Sequence, residues 1–91
     1  MFIVTNCTPK GNYTPSIFKT IKEAYDWMLE CTANNIKQST DHEFYGLSNN
    51  DVCRWGCKHM DVKIAIGRTE IYYGDDSYNI MEIFEIEEDC K

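Results

Sequence analysis

Hydrophobic residues keep three different rhythms along this chain. In residues 1–8, Met-Phe-Ile-Val-Thr-Asn-Cys-Thr, apolar and β-branched side chains dominate and predict a first strand. Pro9-Lys10-Gly11-Asn12 is turn chemistry, so Tyr13 to Lys19 is expected to return antiparallel. Pro15 within that return marks an edge position or a bulge. From Thr20 the period lengthens to 3.6. Ile21, Ala24, Tyr25, Met28, Thr32 and Ile36 share one helical face, and Lys22, Asp26, Glu30 and Lys37 share the other. Thr20-Ile21-Lys22-Glu23 fits a capping box at the start of this helix, which spans roughly residues 21–36.

A polar connection follows over 37–47, with a short strand expected at Glu43-Phe44-Tyr45. Ser48-Asn49-Asn50-Asp51 opens a second, shorter helix holding Val52, Cys53, Trp55 and Cys57, its length limited by Gly56. The rhythm then shortens to two. Asp61–Gly67 alternates through Val62, Ile64 and Ile66, and two further runs lie at Thr69–Gly74 and Ser77–Glu87. Gly67-Arg68 and Gly74-Asp75-Asp76-Ser77 are the hairpin connections. The order β-β-α-α-β-β-β predicts an α+β fold. A small antiparallel sheet would carry one amphipathic helix packed on one face, beside a short Cys-bearing helix, in a single domain over 1–91.

Charge changes this picture more than composition does. Residues 70–91 carry eight carboxylates and one basic residue, Lys91, a net −7; residues 1–69 carry seven acids and eight bases, a net +1. A field of one sign at one end repels nucleic acid and anionic membrane and attracts a basic groove. Glu82, Glu85 and Glu87 punctuate apolar residues along the last segment, with Tyr72, Tyr73, Tyr78 and Trp55 as aromatic anchors or core. Side chains two apart on a strand lie roughly 6.5–7 Å apart, near the phosphate repeat of a nucleic-acid strand. The alternation is imperfect, because Glu82 shares its face with Ile80 and Phe84. The same acids equally suit a solvated face that discourages edge pairing. Direct binding of DNA or RNA is disfavoured, since the most basic stretch, Arg54 to Lys63, holds three cations.

The five cysteines, Cys7, Cys31, Cys53, Cys57 and Cys90, need a separate account. No apolar run approaches the length of a membrane span, and Met1-Phe2-Ile3-Val4 lacks a signal-peptide pattern, so a cytoplasmic location is expected. A reducing compartment disfavours stable disulfides. Cys53 and Cys57 are four apart on a helix and can direct two thiolates at one ion. His59 joins them only if the helix ends near Gly56-Cys57. A structural zinc site would be Cys53, Cys57 and His59 completed by Cys31, with Cys7, Cys90 and His42 as other donors. Buried free thiols are the other reading. Pairings of Cys57 with His59, or Cys53 with His42, have the residue types of a thiol enzyme, but no oxyanion, P-loop or paired-acid motif accompanies them. No catalytic residue is assigned, and an enzyme is not expected.

In size, acidity and layout the whole chain resembles the small phage-encoded anti-CRISPR proteins that inhibit Cas9, and Cys53-x-x-x-Cys57-x-His59 is compatible with a zinc-containing member. No specific motif carries the likeness. It implies a stoichiometric inhibitor in the host cell cytoplasm that binds the basic nucleic-acid groove of a Cas9-type nuclease and blocks DNA loading, with Asp75, Asp76, Glu82, Glu85, Glu87 and Glu88 as the contact candidates. The alternative is a zinc-stabilised protein-interaction module with an unrelated regulatory role.

Overall fold

Two hairpins and a helical pair build the chain, and the last strand joins them. In the computed structural model, which describes residues 1–74 and 76–87, the elements are β1 (Phe2–Thr8), β2 (Gly11–Phe18), α1 (Ile21–Gln38), α2 (Asn49–His59), β3 (Asp61–Ala65), β4 (Arg68–Tyr72) and β5 (Tyr78–Glu85). The fold is α+β, in the expected order, with one five-stranded sheet ordered β2-β1-β5-β4-β3 and antiparallel throughout. β5 sits between β1 and β4, so the first and last strands pair along their length from Phe2↔Glu85 to Cys7↔Ile80.

Local chemistry explains the boundaries. Thr20 and Glu23 close the capping box on α1, and Ser48 and Asp51 close another on α2. Pro15 lies on the edge strand β2, where the register with β1 shifts between Val4/Ser16 and Asn6/Tyr13. Two residues there, Thr14 and Pro15, oppose Thr5 alone, so position and bulge are both realised. Glu43-Phe44-Tyr45 forms no strand; Tyr45 and Gly46 form a turn, closed by the Leu47 amide donating to the Phe44 carbonyl at 3.2 Å. β3 stops at Ala65, and the turn residues are Ile66 and Gly67, with Gly67 at φ 86°.

Helix α1 serves two neighbours at once. Ala24 and Met28 pack on Val4 and Met81 of the sheet, while Leu29, Ala33 and Ile36 pack with Val52, Cys53, Val62 and Ile71. The buried arc is therefore wider than a single-sided helix needs, and Leu29 and Ala33 belong to it because α2 lies there. Gly56 sits inside α2 and does not end it. A Cβ at this position would stand 2.6 Å from Ile36 Cδ1, so the glycine is what lets the two helices approach. At the centre, Thr32 Oγ1 donates to the Met28 carbonyl at 2.8 Å and meets Thr69 Oγ1 at 2.9 Å, tying α1 to β4.

Both helices lie on one face of the sheet. Cross-strand register puts Ile17, Ile3 and Phe84 in one row of the opposite face, and Thr5, Glu82, Arg68 and Ala65 in the next. Among the described residues, no helix is long and apolar enough to cross a membrane.

Candidate functional site

The cysteine pair sits on one row of α2 with two different environments. Cys53 is buried, its thiol directed at the Leu29 carbonyl at 3.6 Å, and burial followed by the neighbouring Cys57 pushes it up to about 11. Cys57, one turn on, is exposed. The other two residues expected in a metal site go elsewhere. α2 continues through His59, so the imidazole leaves the cysteine row and packs on Trp55, ring centroids 4.7 Å apart. Cys31 packs in the Val4–Met28–Met81 cluster, on the other side of α1 from Cys53. Among the described residues, no three His, Cys, Asp or Glu side chains come together as metal ligands. Cys7 lies on β1 facing away from the helices, and Cys90 lies outside the described residues.

Around Trp55 the structure assembles a cluster that sequence spacing did not single out. The His42 ring stacks on the indole at 4.7 Å with planes 20° apart, and Phe44 meets it edge-on at 5.1 Å. His42 and Phe44 come from the α1–α2 connection, so this cluster pins that connection to α2. Both histidines thus have an aromatic neighbour in place of a ligand partner. The Trp55–His59 pair is legible as i,i+4 spacing once the helix is known to run past Gly56; the arrival of His42 is a tertiary contact. A shallow groove of about 520 Å³ is lined by Asp51, Arg54, Trp55, Cys57, Lys58 and His59. Thiol, imidazole and two cations therefore share a surface, although no hydrogen bond joins Cys57 to His59 among the described residues.

The acidic residues divide along β5. Asp76 lies exposed in the β4–β5 connection, while Glu85 and Glu87 are exposed at the other end of the strand, about 24 Å away at ~3.4 Å per residue. Asp75 and Glu88 lie outside the described residues. Glu82 and Glu85 face opposite sides of the sheet because their spacing is odd, and Glu87 lies past the end of the strand. Among the described residues, no continuous row of carboxylates at strand pitch forms. Glu82 is also engaged already. Arg68 Nη1 contacts its carboxylate at 3.0 Å, and Arg68 Nε donates to Glu70 at 3.2 Å. Tyr72 donates its hydroxyl to the same Glu70. That hydroxyl and Arg68 hold the Glu70 carboxyl below the usual carboxylate range, against the opposing effect of desolvation. Among the described residues, Asp76, Glu85 and Glu87 take part in no ion pair.

The aromatic anchors are divided in the same way. Tyr13, Tyr73 and Tyr78 line a groove of about 300 Å³ at the Asp76 end, together with Pro9 and Lys10. Tyr72 is tied to Glu70 on the helix-free face. No protein-family model matches the chain, no curated protein matches its sequence, and no solved structure matches it.

Proposed function

We propose that this domain is a stoichiometric protein-binding inhibitor of the anti-CRISPR type. In this reading Glu85 and Glu87, with the acidic residues that follow them in sequence, engage a basic nucleic-acid-binding surface of a Cas9-type nuclease and block DNA loading. The observation that carries the reading is the state of these carboxylates: exposed, outside every ion pair among the described residues, and at the terminus of a strand held in mid-sheet. Carboxylates free of internal partners can accept charge-assisted hydrogen bonds from arginine or lysine without first breaking a contact. Glu82 contributes to the local field but is not a contact, because Arg68 already neutralises it. Asp76 belongs to a second surface, too far along β5 to share one small basic pocket with Glu85.

The test is capture of a purified Cas9–guide complex on the immobilised protein, with and without competing duplex DNA. Retention that DNA displaces, that weakens with salt and that disappears in E85K/E87K is the expected result. Undiminished retention by E85K/E87K, or no retention at all, overturns the reading.

A further inference from the structure

Exposed apolar side chains are not spread evenly over this molecule. Of the ten large hydrophobic residues that are exposed, six (Met1, Ile17, Ile21, Ile66, Phe84 and Ile86) gather at one end. The register defines that end: the β3–β4 turn reaches β5 through Ile83 N–H donating to the Gly67 carbonyl at 2.8 Å, and Ile86 N–H donates to the Met1 carbonyl at 2.8 Å. Here the turn residue Ile66 is 92% exposed. A groove of about 390 Å³, almost wholly apolar, runs beside it between Ile21, Lys22, Tyr25, Gly67 and Ile83. Around the sheet edge, Ile17, Ile3 and Phe84 continue the apolar surface onto the helix-free face.

This end is also where Glu85 and Glu87 emerge, with Glu85 on the same face of β5 as Ile83. Lys22 is already paired with Asp26 at 2.6 Å and Arg68 with Glu70 and Glu82, while Lys19 and the Met1 amino group take part in no ion pair among the described residues. An isolated exposed isoleucine needs no explanation, but an apolar groove continuous with exposed isoleucines, with the unpaired carboxylate of Glu85 two residues along β5 from its Ile83 wall and Glu87 just beyond, is the anatomy of a protein-binding surface. The rim selects the occupant. A second copy of the chain would bring two acidic rims together; a partner with lysine or arginine beside its apolar side chains would satisfy both parts of the surface.

We infer that the groove bounded by Ile21, Ile66 and Ile83 is the centre of the docking surface, and that it receives large apolar side chains of a partner protein segment whose flanking lysines or arginines meet Glu85 and Glu87. This rests on the protein-binding reading above and adds to it the source of affinity. The carboxylates select the partner, and burial of its apolar side chains in the groove holds it.

The probes are two synthetic helical peptides with identical lysines, one carrying leucines along its apolar face and the other serines. They are titrated into isotope-labelled protein and followed by amide chemical shifts. The leucine peptide is expected to shift Ile66, Gly67 and Ile83 to Glu87 and to bind at least tenfold more tightly than the serine peptide. I66S, a change in an exposed turn that leaves the core untouched, should remove that advantage. Equal binding of the two peptides, shifts located elsewhere, or indifference to I66S overturns the inference. If E85K/E87K then still weakens both peptides, the charge-directed reading survives alone; if I66S weakens binding and E85K/E87K does not, the groove stands and the acidic reading falls. A dimer that I66S dissociates, seen by light scattering, would assign the groove to a second copy and also overturn it.

Discussion

Gly56 and Ile36 fix how closely the two helices approach. A methyl group on residue 56 would meet the buried Ile36 Cδ1 at 2.6 Å and Cγ1 at 3.2 Å. Alanine is a better helix former than glycine by about 1 kcal/mol, but overpacking a filled core typically costs about 1–3 kcal/mol. G56A is therefore expected to lower the unfolding free energy by about 1 kcal/mol in urea titration. Adding I36V removes the clashing Cδ1, and G56A/I36V should be more stable than G56A despite the smaller core side chain. If the I36V change costs as much in the G56A background as in the wild type, the close approach is not what requires glycine.

The Thr32–Thr69 contact has a direction. The single Thr32 proton goes to the Met28 carbonyl, so Thr69 must donate to Thr32. T32V leaves the buried Thr69 donor unpaired and is expected to cost about 1–3 kcal/mol. T69V leaves Thr32 still donating to Met28, so its cost should be smaller. The double variant should be less damaging than T32V alone, because no buried hydroxyl remains. Equal costs for the two single changes would refute the assigned direction.

Acid stability should report on Glu70. Its carboxyl titrates below the usual value of 4.5 in the folded chain, held there by the Tyr72 hydroxyl and Arg68. A depressed folded pKa means that the unfolded chain binds this proton first as pH falls. The stabilisation is complete above about 4.5 and disappears as pH drops through the folded value. Between pH 5 and 3, E70Q should lose less stability than the wild type, with Y72F intermediate, when melting temperature is followed against pH.

Charge reversals should sort by whether a carboxylate has a partner. E82K sets a lysine against Arg68 on the helix-free face and is expected to lower the melting temperature by a few degrees, in line with ~4–8 °C per kcal/mol for a domain of this size. E85K/E87K removes no described ion pair and should leave the melting temperature within about 1 °C. A large drop in the second variant would mean that these acids serve the fold.

Thiol chemistry should separate the two α2 cysteines. Iodoacetamide at neutral pH is expected to modify Cys57, which is exposed although partial burial pushes its thiol up too, well before Cys53, which is buried with its thiol pushed up to about 11 and should react only after unfolding. Peptide mass mapping over time measures both. Equal rates would mean that α2 opens easily.

Element types and order were legible because each rested on a local rule: β-branched and apolar composition in the first strand, period 3.6 in α1, period two in β3, a capping box at Thr20–Glu23 and an N-cap at Ser48 with Asp51 in the first turn. Pro15 likewise announced its edge strand and bulge. What was not legible depends on contacts between elements. Gly56 reads as a helix breaker in isolation, and only the arrival of Ile36 makes it a packing residue. Ile66 continues the alternation of Val62 and Ile64, yet β3 ends one residue earlier because Gly67 takes the positive φ of the turn, and the isoleucine is left in solvent. The acidic segment was visible as composition, but its division between two ends and two faces follows from register and from the Arg68–Glu82 pair. His59 left the expected metal cluster for the same reason: the length of α2 was decided by packing.

The pairing of β1 with β5 also bears on synthesis. Strand β1 is synthesised well before β5 and meets this inner neighbour only after residues 80–85 have followed it, so β1 and β2 begin as a two-stranded hairpin, too small to be stable alone. α1 and its capping box can form during elongation, but the sheet closes only when β5 arrives, on a contact more than seventy residues apart in sequence. Until then Ile3 and Val4 offer an unpaired edge to any other nascent chain. The risk of misassembly is therefore greatest in the interval between the emergence of β1 and that of β5.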